Sequence, residues 1–147
     1  MTAAQADLMR LYSERILALA AALPHAGRLE GASGTAKRRS PLCGSTVTVD
    51  VTLDAAGRVS GFAQDVKACA LGQSSAAVLG QTVVGLNRDE ISAGRDQLYA
   101  MLKSDGAVPA APFAELEALL PARDYKNRHA SIMLAWDATL AAMDDAG

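Results

Sequence analysis

The chain reads as an α+β fold, a small three-stranded antiparallel sheet with helices packed on one of its faces. Three observations predict it. Thr46 to Leu53 alternates strictly, with Val47, Val49, Val51 and Leu53 on one face and Thr46, Thr48, Asp50 and Thr52 on the other. That period of two is the pattern of a half-buried antiparallel strand. Asp54-Ala55-Ala56-Gly57 is a turn that sends the chain back along Arg58 to Val66. The flanking segments carry the three- and four-residue spacings of helices with one buried face.

The elements follow in order. Leu8, Leu11, Tyr12, Ile16, Leu19 and Leu23 predict one amphipathic helix, ended by Pro24 and Gly27. Residues 30 to 36 read as a flexible link. Lys37-Arg38-Arg39 predicts a short edge strand, where positive charge guards an open edge. After the hairpin a helix is expected from near Cys69 to about Val84. Asn87-Arg88-Asp89-Glu90 is a capping box for the next, with Ile91, Leu98 and Leu102 on its inner face. Asp105-Gly106 stops that helix, and Pro109 and Pro112 mark a loop. Phe113 to Leu120 predicts a short helix. The last helix starts near Arg128, with Ile132, Trp136, Thr139, Leu140 and Met143 lining its inner face.

The bulk numbers bound the function. A chain of 147 residues is about one domain, here residues 1–147. Half of it is apolar, enough for a real core. The net charge is −2 and the pI about 5.6, with acids and bases mixed, so no nucleic-acid footprint or membrane-attracting basic face is expected. No apolar run approaches the roughly 18 residues that span a bilayer. The first residues lack the charged start of a signal peptide. A cytoplasmic protein is expected, in which two cysteines are more often reduced than bridged.

Chemistry concentrates at Cys43 and Cys69. The first lies where a loop enters a strand, the second where a strand ends and a helix begins, and one hairpin runs between them. The hairpin returns the chain to the end where it began, so both thiols are expected at one end of the sheet. The free N–H groups and dipole of a helix start favour a thiolate at Cys69, the form that binds metal or attacks sulfur. Gly44 after Cys43 permits close approach of a ligand. Burial as two small hydrophobes weighs about equally on these local features. Two thiolates do not complete a four-ligand metal shell. His25, His129, Asp65 and Ser45 are the candidate additions, with His129 favoured by its place at the start of the last helix.

Several motifs together carry a resemblance. Leu11-Tyr12 is followed by Pro24 and Gly27. Pro41-Leu42-Cys43-Gly44 then enters the Thr/Val strand, and Ala68-Cys69-Ala70 opens a helix with Ser74, Ser75 and Ala76. Arg128-His129-Ala130-Ser131 leads to Leu134-Ala135-Trp136. In this order, over nearly the whole chain, they resemble the U-type iron–sulfur cluster assembly scaffolds: IscU, the amino-terminal domain of NifU, and SufU. The long segment before the last helix and the Leu-Ala-Trp run look most like SufU.

The resemblance implies three cysteines and an aspartate converging at one exposed end. It implies a non-enzymatic scaffold or sulfur acceptor that works with a cysteine desulfurase, holds an iron–sulfur cluster or zinc, and passes cargo to cluster-acceptor proteins. Cys43 and Cys69 fall on the first two cysteines of that pattern. Ser131 falls on the third cysteine and Ser45 on the aspartate, so half the ligand set is replaced by neutral hydroxyls, poor partners for soft metals. One expectation is a divergent scaffold whose shell is completed by His129, an exogenous thiol or a second subunit in a homodimer. Another is a metal-free pseudo-scaffold, a regulatory binding module for a desulfurase or transfer partner. A dithiol redox protein is a third reading, disfavoured by the lack of a Cys-x-x-Cys motif.

Overall fold

The hairpin is the centre of the molecule. In the computed structural model, which describes residues 2–41 and 44–147, β2 (Thr46–Leu53) pairs antiparallel with β3 (Val59–Lys67) and with β1 (Gly34–Arg39). The strand order is β1-β2-β3. Val47, Val49 and Val51 are fully buried, as their alternation requires. The opposite face carries Thr46, Thr48 and Thr52, all only part-buried.

Two α-helices precede the sheet: α1 (Ala3–Leu11) and α2 (Glu14–Ala21). The expected single helix is broken because Tyr12 leaves helical geometry and Ser13 starts a new helix, its hydroxyl accepting from the N–H of Ile16. The break turns Leu8 outward, half exposed, while Leu11, Ile16 and Leu19 are buried. The segment read as a link over 30–36 is partly strand, since β1 already begins at Gly34. The outer edge of β3 is covered in part by residues 25–27: Gln64 N–H donates to His25 C=O, and Gly27 N–H to Gln64 C=O.

The helices after the sheet are α3 (Ala70–Thr82), α4 (Arg88–Lys103) and α5 (Lys126–Ala146), with a 3₁₀ segment over Ala114–Asp124. The Asn87–Glu90 capping box forms in full. α5 lies across β1 and β2, and α3 packs against α5 and α2. Close approach of α5 to β1 depends on Gly34, where a Cβ would fall on the Ala142 carbonyl and within 2.6 Å of Ala146 N.

Trp136 is completely buried at the heart of the helical layer. Its ring meets Phe113 edge-on at 4.8 Å, and Gly94 of α4 leaves room for both. Its indole N–H donates to Ser75 Oγ at 3.0 Å, and Ser75 in turn donates to Ile132 C=O at 2.8 Å. Two polar groups in the core thus satisfy each other and tie α3 to α5. No helix among the described residues is long and apolar enough to cross a membrane.

Candidate functional site

The register of the sheet builds the site. Thr46 at the start of β2 faces Lys67 at the end of β3 and Arg39 at the end of β1. Ser45 and the Ala68-Cys69 step therefore leave the sheet at the same end. Cys69 is the N-cap residue of α3, with extended backbone (φ −66°, ψ 171°). Its carbonyl accepts from Gln73 N–H at 2.9 Å, but its side chain makes no capping bond. The thiol is free, half-buried, and turned toward the start of α5.

Ser131 meets it there. Cys69 Sγ lies 3.8 Å from Ser131 Oγ, and Ser131 Oγ donates to Ser45 Oγ at 3.2 Å. Ser131 and Ser45 are both buried. The approach of α5 is possible because Gly72, in the first turn of α3, has no side chain. A Cβ there would come within 2.7 Å of Ser131 Oγ and 3.1 Å of its carbonyl oxygen. The geometry thus gathers residues 45, 69 and 131 from three separate elements into one polar group. Cys43 lies outside the described residues, so its distance from Cys69, expected to suit a shared metal, falls there too.

The other candidates do not join this group. His129 precedes Ser131 by two positions in α5, about 200° around the helix. Its ring is buried and its Nε2 lies 2.8 Å from Ala122 C=O. Burial lowers its pKa and keeps the ring neutral near pH 7. Nδ1 has no hydrogen-bond partner among the described residues. The expected metal role of His129 therefore competes with a structural one that already occupies a ring nitrogen. His25 is exposed at a left-handed backbone position (φ 58°), its ring edge-on to Phe62. Asp65 pairs across the sheet with Thr48.

One charged site escaped the sequence reading. Asp50, on the open face of β2, is buried beneath Arg28, which bonds it at 2.7 and 3.2 Å. Thr35 Oγ1 donates to it at 2.6 Å and Leu29 N–H at 3.1 Å. The guanidinium contact lowers the carboxyl pKa to about 2. The alternation of β2 placed Asp50 on the polar face, but nothing local to it signals the arginine 22 residues earlier.

The donor set can be tested against a resident metal. Among the described residues no three His, Cys, Asp or Glu side chains gather to hold an ion. The group offers one thiol and two hydroxyls, a poor match for zinc, which takes anionic sulfur, imidazole or carboxylate ligands. These residues do not fit a resident zinc of the four-ligand kind.

An antiparallel three-stranded sheet, helices on one face, and a cysteine at the start of the first helix after the hairpin define a class of small scaffold domain. Among solved structures, a nitrogen-fixing NifU-like protein (N-terminal) from Brucella abortus superposes with a TM-score of 0.91 at 42% identity, over 95% of this chain and 96% of that one. A protein described as an iron–sulfur cluster assembly scaffold of the SUF system from Fervidobacterium islandicum gives 0.80 at 19% identity, over 92% and 98%. A protein described only as hypothetical gives 0.77 at 21%, again over 92% and 98%. These last two share the fold. No family model and no curated protein matches the chain. The chain belongs to the NifU-like amino-terminal domains of the U-type scaffold family.

Proposed function

We propose that the chain is an iron–sulfur assembly protein of reduced ligand set, one that accepts cargo through cysteine sulfur rather than through a complete four-ligand shell. The observation that carries this reading is the convergence of Cys69, Ser131 and Ser45 at one end of the sheet. These are three of the positions at which the resemblance places ligands. The arrangement of such a site is kept while two of its anionic donors are hydroxyls.

The chemistry follows from the donors. A thiolate at Cys69 can bind iron, or attack the outer sulfur of a cysteine persulfide on a desulfurase, breaking its S–S bond, forming a persulfide on Cys69 and releasing the desulfurase cysteine as thiolate. Ser131, 3.8 Å away, can donate a hydrogen bond to that thiolate in place of its bond to Ser45. Neither hydroxyl supplies an anion at neutral pH. Any bound cluster is cargo and takes its remaining ligands from outside this group: from Cys43, from an exogenous thiol, or from the thiols of a second copy, since a [2Fe–2S] unit needs four. A role as carrier rather than catalyst follows.

A second reading is a metal-free binding module that docks on a desulfurase or transfer partner. The hydrogen bond between Ser45 and Ser131 favours it, because the hydroxyls satisfy each other without a ligand. Anoxic incubation with a cysteine desulfurase, cysteine and ferrous iron, with and without a thiol reductant to release sulfide from persulfide, separates the two. Iron and sulfide content, together with intact mass under non-reducing conditions, are the readouts. A mass increase of whole sulfur atoms or stoichiometric iron and sulfide, lost in Cys69→Ser, is expected for the carrier. An unmodified, metal-free chain that still co-purifies with the desulfurase would establish the module instead.

A further inference from the structure

A groove lies between the end of β1, α4 and α5, beside the Ser40–Pro41 turn that leads toward the thiol site. Its volume is about 600 Å³. Met133 and Leu134 form an apolar floor, and Arg38, Arg39, Lys103 and Lys126 stand around it. All four cations are exposed. Arg95 also borders the groove, but its charge is met by Asp137 at 2.9 Å and Asp96 at 3.3 Å, and it stacks 5.0 Å over Tyr99. His129 is neutral and adds no charge at pH 7.

Cations without an ion pair also occur elsewhere among the described residues, at Arg15, Lys37, Lys67 and Arg128, but around this groove four of them border one hollow with an apolar floor. Arg28, Arg58, Arg88 and Arg123 each face a carboxylate: Asp50, Glu90, Asp144 and Asp105. Around the groove, among the described residues, Arg38, Arg39, Lys103 and Lys126 enter no ion pair. Arg38 donates to the carbonyl of Lys37, and the Lys103 ammonium sits 5.9 Å over Tyr99. The chain as a whole has a formal net charge of −2, so this cluster runs against its balance.

We propose that this groove docks an acidic, extended segment of a protein partner, with carboxylates on the cationic rim and an apolar side chain on the Met133–Leu134 floor. Charge complementarity names the sign of the occupant, and the apolar floor calls for a side chain between its charges. The cations come from three separate elements, β1, α4 and α5, along a groove of about 600 Å³, which suits a segment with spaced carboxylates better than a single small anion. The position beside Ser40–Pro41 would hold such a partner next to the thiol site. This surface is independent of what the thiols carry, so its failure would leave the assembly reading untouched.

The test uses the full chain and a short fluorescein-labelled peptide of alternating Glu and Leu, followed by fluorescence anisotropy at several salt concentrations. Binding that weakens with salt is expected, as is a loss of at least about tenfold in Lys103→Glu and in Lys126→Glu, made separately. Arg15→Glu, an exposed reversal of the same size far along the sequence, should bind as wild type does. These substitutions are at exposed positions, and unchanged thermal melts would confirm folding; Arg38→Glu serves if one of them fails to fold. Equal weakening by Arg15→Glu would mean bulk charge alone and overturn the proposal. So would displacement of the peptide by inorganic phosphate at matched ionic strength, equal binding of a Lys–Leu peptide, or no binding of the acidic one.

Discussion

Ser131 Oγ and Ser45 Oγ lie 3.2 Å apart, joining the second turn of α5 to the residue before β2 across 86 positions of sequence. With Cys69 Sγ 3.8 Å from the same Ser131 hydroxyl, the three side chains occupy one place from three elements. Both hydroxyls stand beside that thiol, and neither carries the charge that the proposed ligand positions call for.

Restoring that charge should create a metal site. Ser45→Asp with Ser131→Cys would supply a carboxylate and a second thiolate beside Cys69, anionic ligands of the kinds zinc takes. Zinc affinity is expected to rise by several orders of magnitude over wild type, and bound metal should raise the melting temperature because binding adds to folding free energy. Competition against a chromophoric chelator reads the affinity, with a Cys69→Ser control. Equal affinity in wild type and double variant would mean that positions 45 and 131 do not present ligands to a shared ion.

Trp136 should be the most costly single truncation. Its ring is wholly buried, packs edge-on to Phe113, and bonds Ser75. Trp136→Ala leaves a large cavity and is expected to cost about 3–5 kcal/mol in urea denaturation. Trp136→Phe keeps most of the packing, loses the bond to Ser75 and should cost less. Near-equal stability of Trp136→Ala and wild type would show the ring to be dispensable to the core.

Much of the fold was legible because its signals are local. The Val/Thr alternation, the Asp54–Gly57 turn and the Asn87–Glu90 box each specify an element within a few residues. The break at Ser13 was hidden because a serine inside an apolar periodicity reads as an ordinary exposed position, although it also caps. β1 extends further than its Lys37–Arg39 run predicts because Gly34 and Ala36 carry no strand preference; their place is set by β2 on one side and α5 above. The site was half legible. The hairpin explains why Ser45 and Cys69 share an end, whereas the place of Ser131 rests on the family resemblance and on the packing of the Ile132–Trp136 face of the last helix. The sheet and α5 meet through side chains far apart in sequence, which no local pattern records. His129 drew attention as a histidine near a helix start, while its ring is engaged with Ala122 C=O on another face of α5.

Gly34 is expected to be intolerant of any side chain. The atoms that a Cβ would strike belong to the backbone of α5, at Ala142 and Ala146, so no rotamer change relieves the clash. Gly34→Ala should destabilise the chain by about 1–3 kcal/mol, the usual range for overpacking. The effect should concentrate at the end of α5, where amide hydrogen exchange over residues 142–146 should speed up. Unaltered exchange there would mean that α5 does not rest against β1 as closely as described.

The Arg28–Asp50 pair should set part of the acid limb of stability. Contact with the guanidinium, helped by Thr35 and Leu29, lowers the Asp50 pKa from its usual value near 3.8 to about 2. A carboxyl whose folded pKa lies below its unfolded one binds fewer protons when folded, so it stabilises the fold at pH values above the unfolded value. That contribution is present in full above about pH 4 and is lost as the pH falls toward 2. Removing Arg28 removes the largest cause of the shift, while Thr35 and Leu29 still donate to the carboxylate. Arg28→Ala should therefore be less stable than wild type at pH 7. The gap should narrow between about pH 4 and pH 2, and Asp50→Asn should flatten the same limb. Urea unfolding at a series of pH values checks this. A gap between Arg28→Ala and wild type that stays constant from pH 7 down to pH 2 would show that Arg28 acts through packing over the sheet and not through the charge of Asp50.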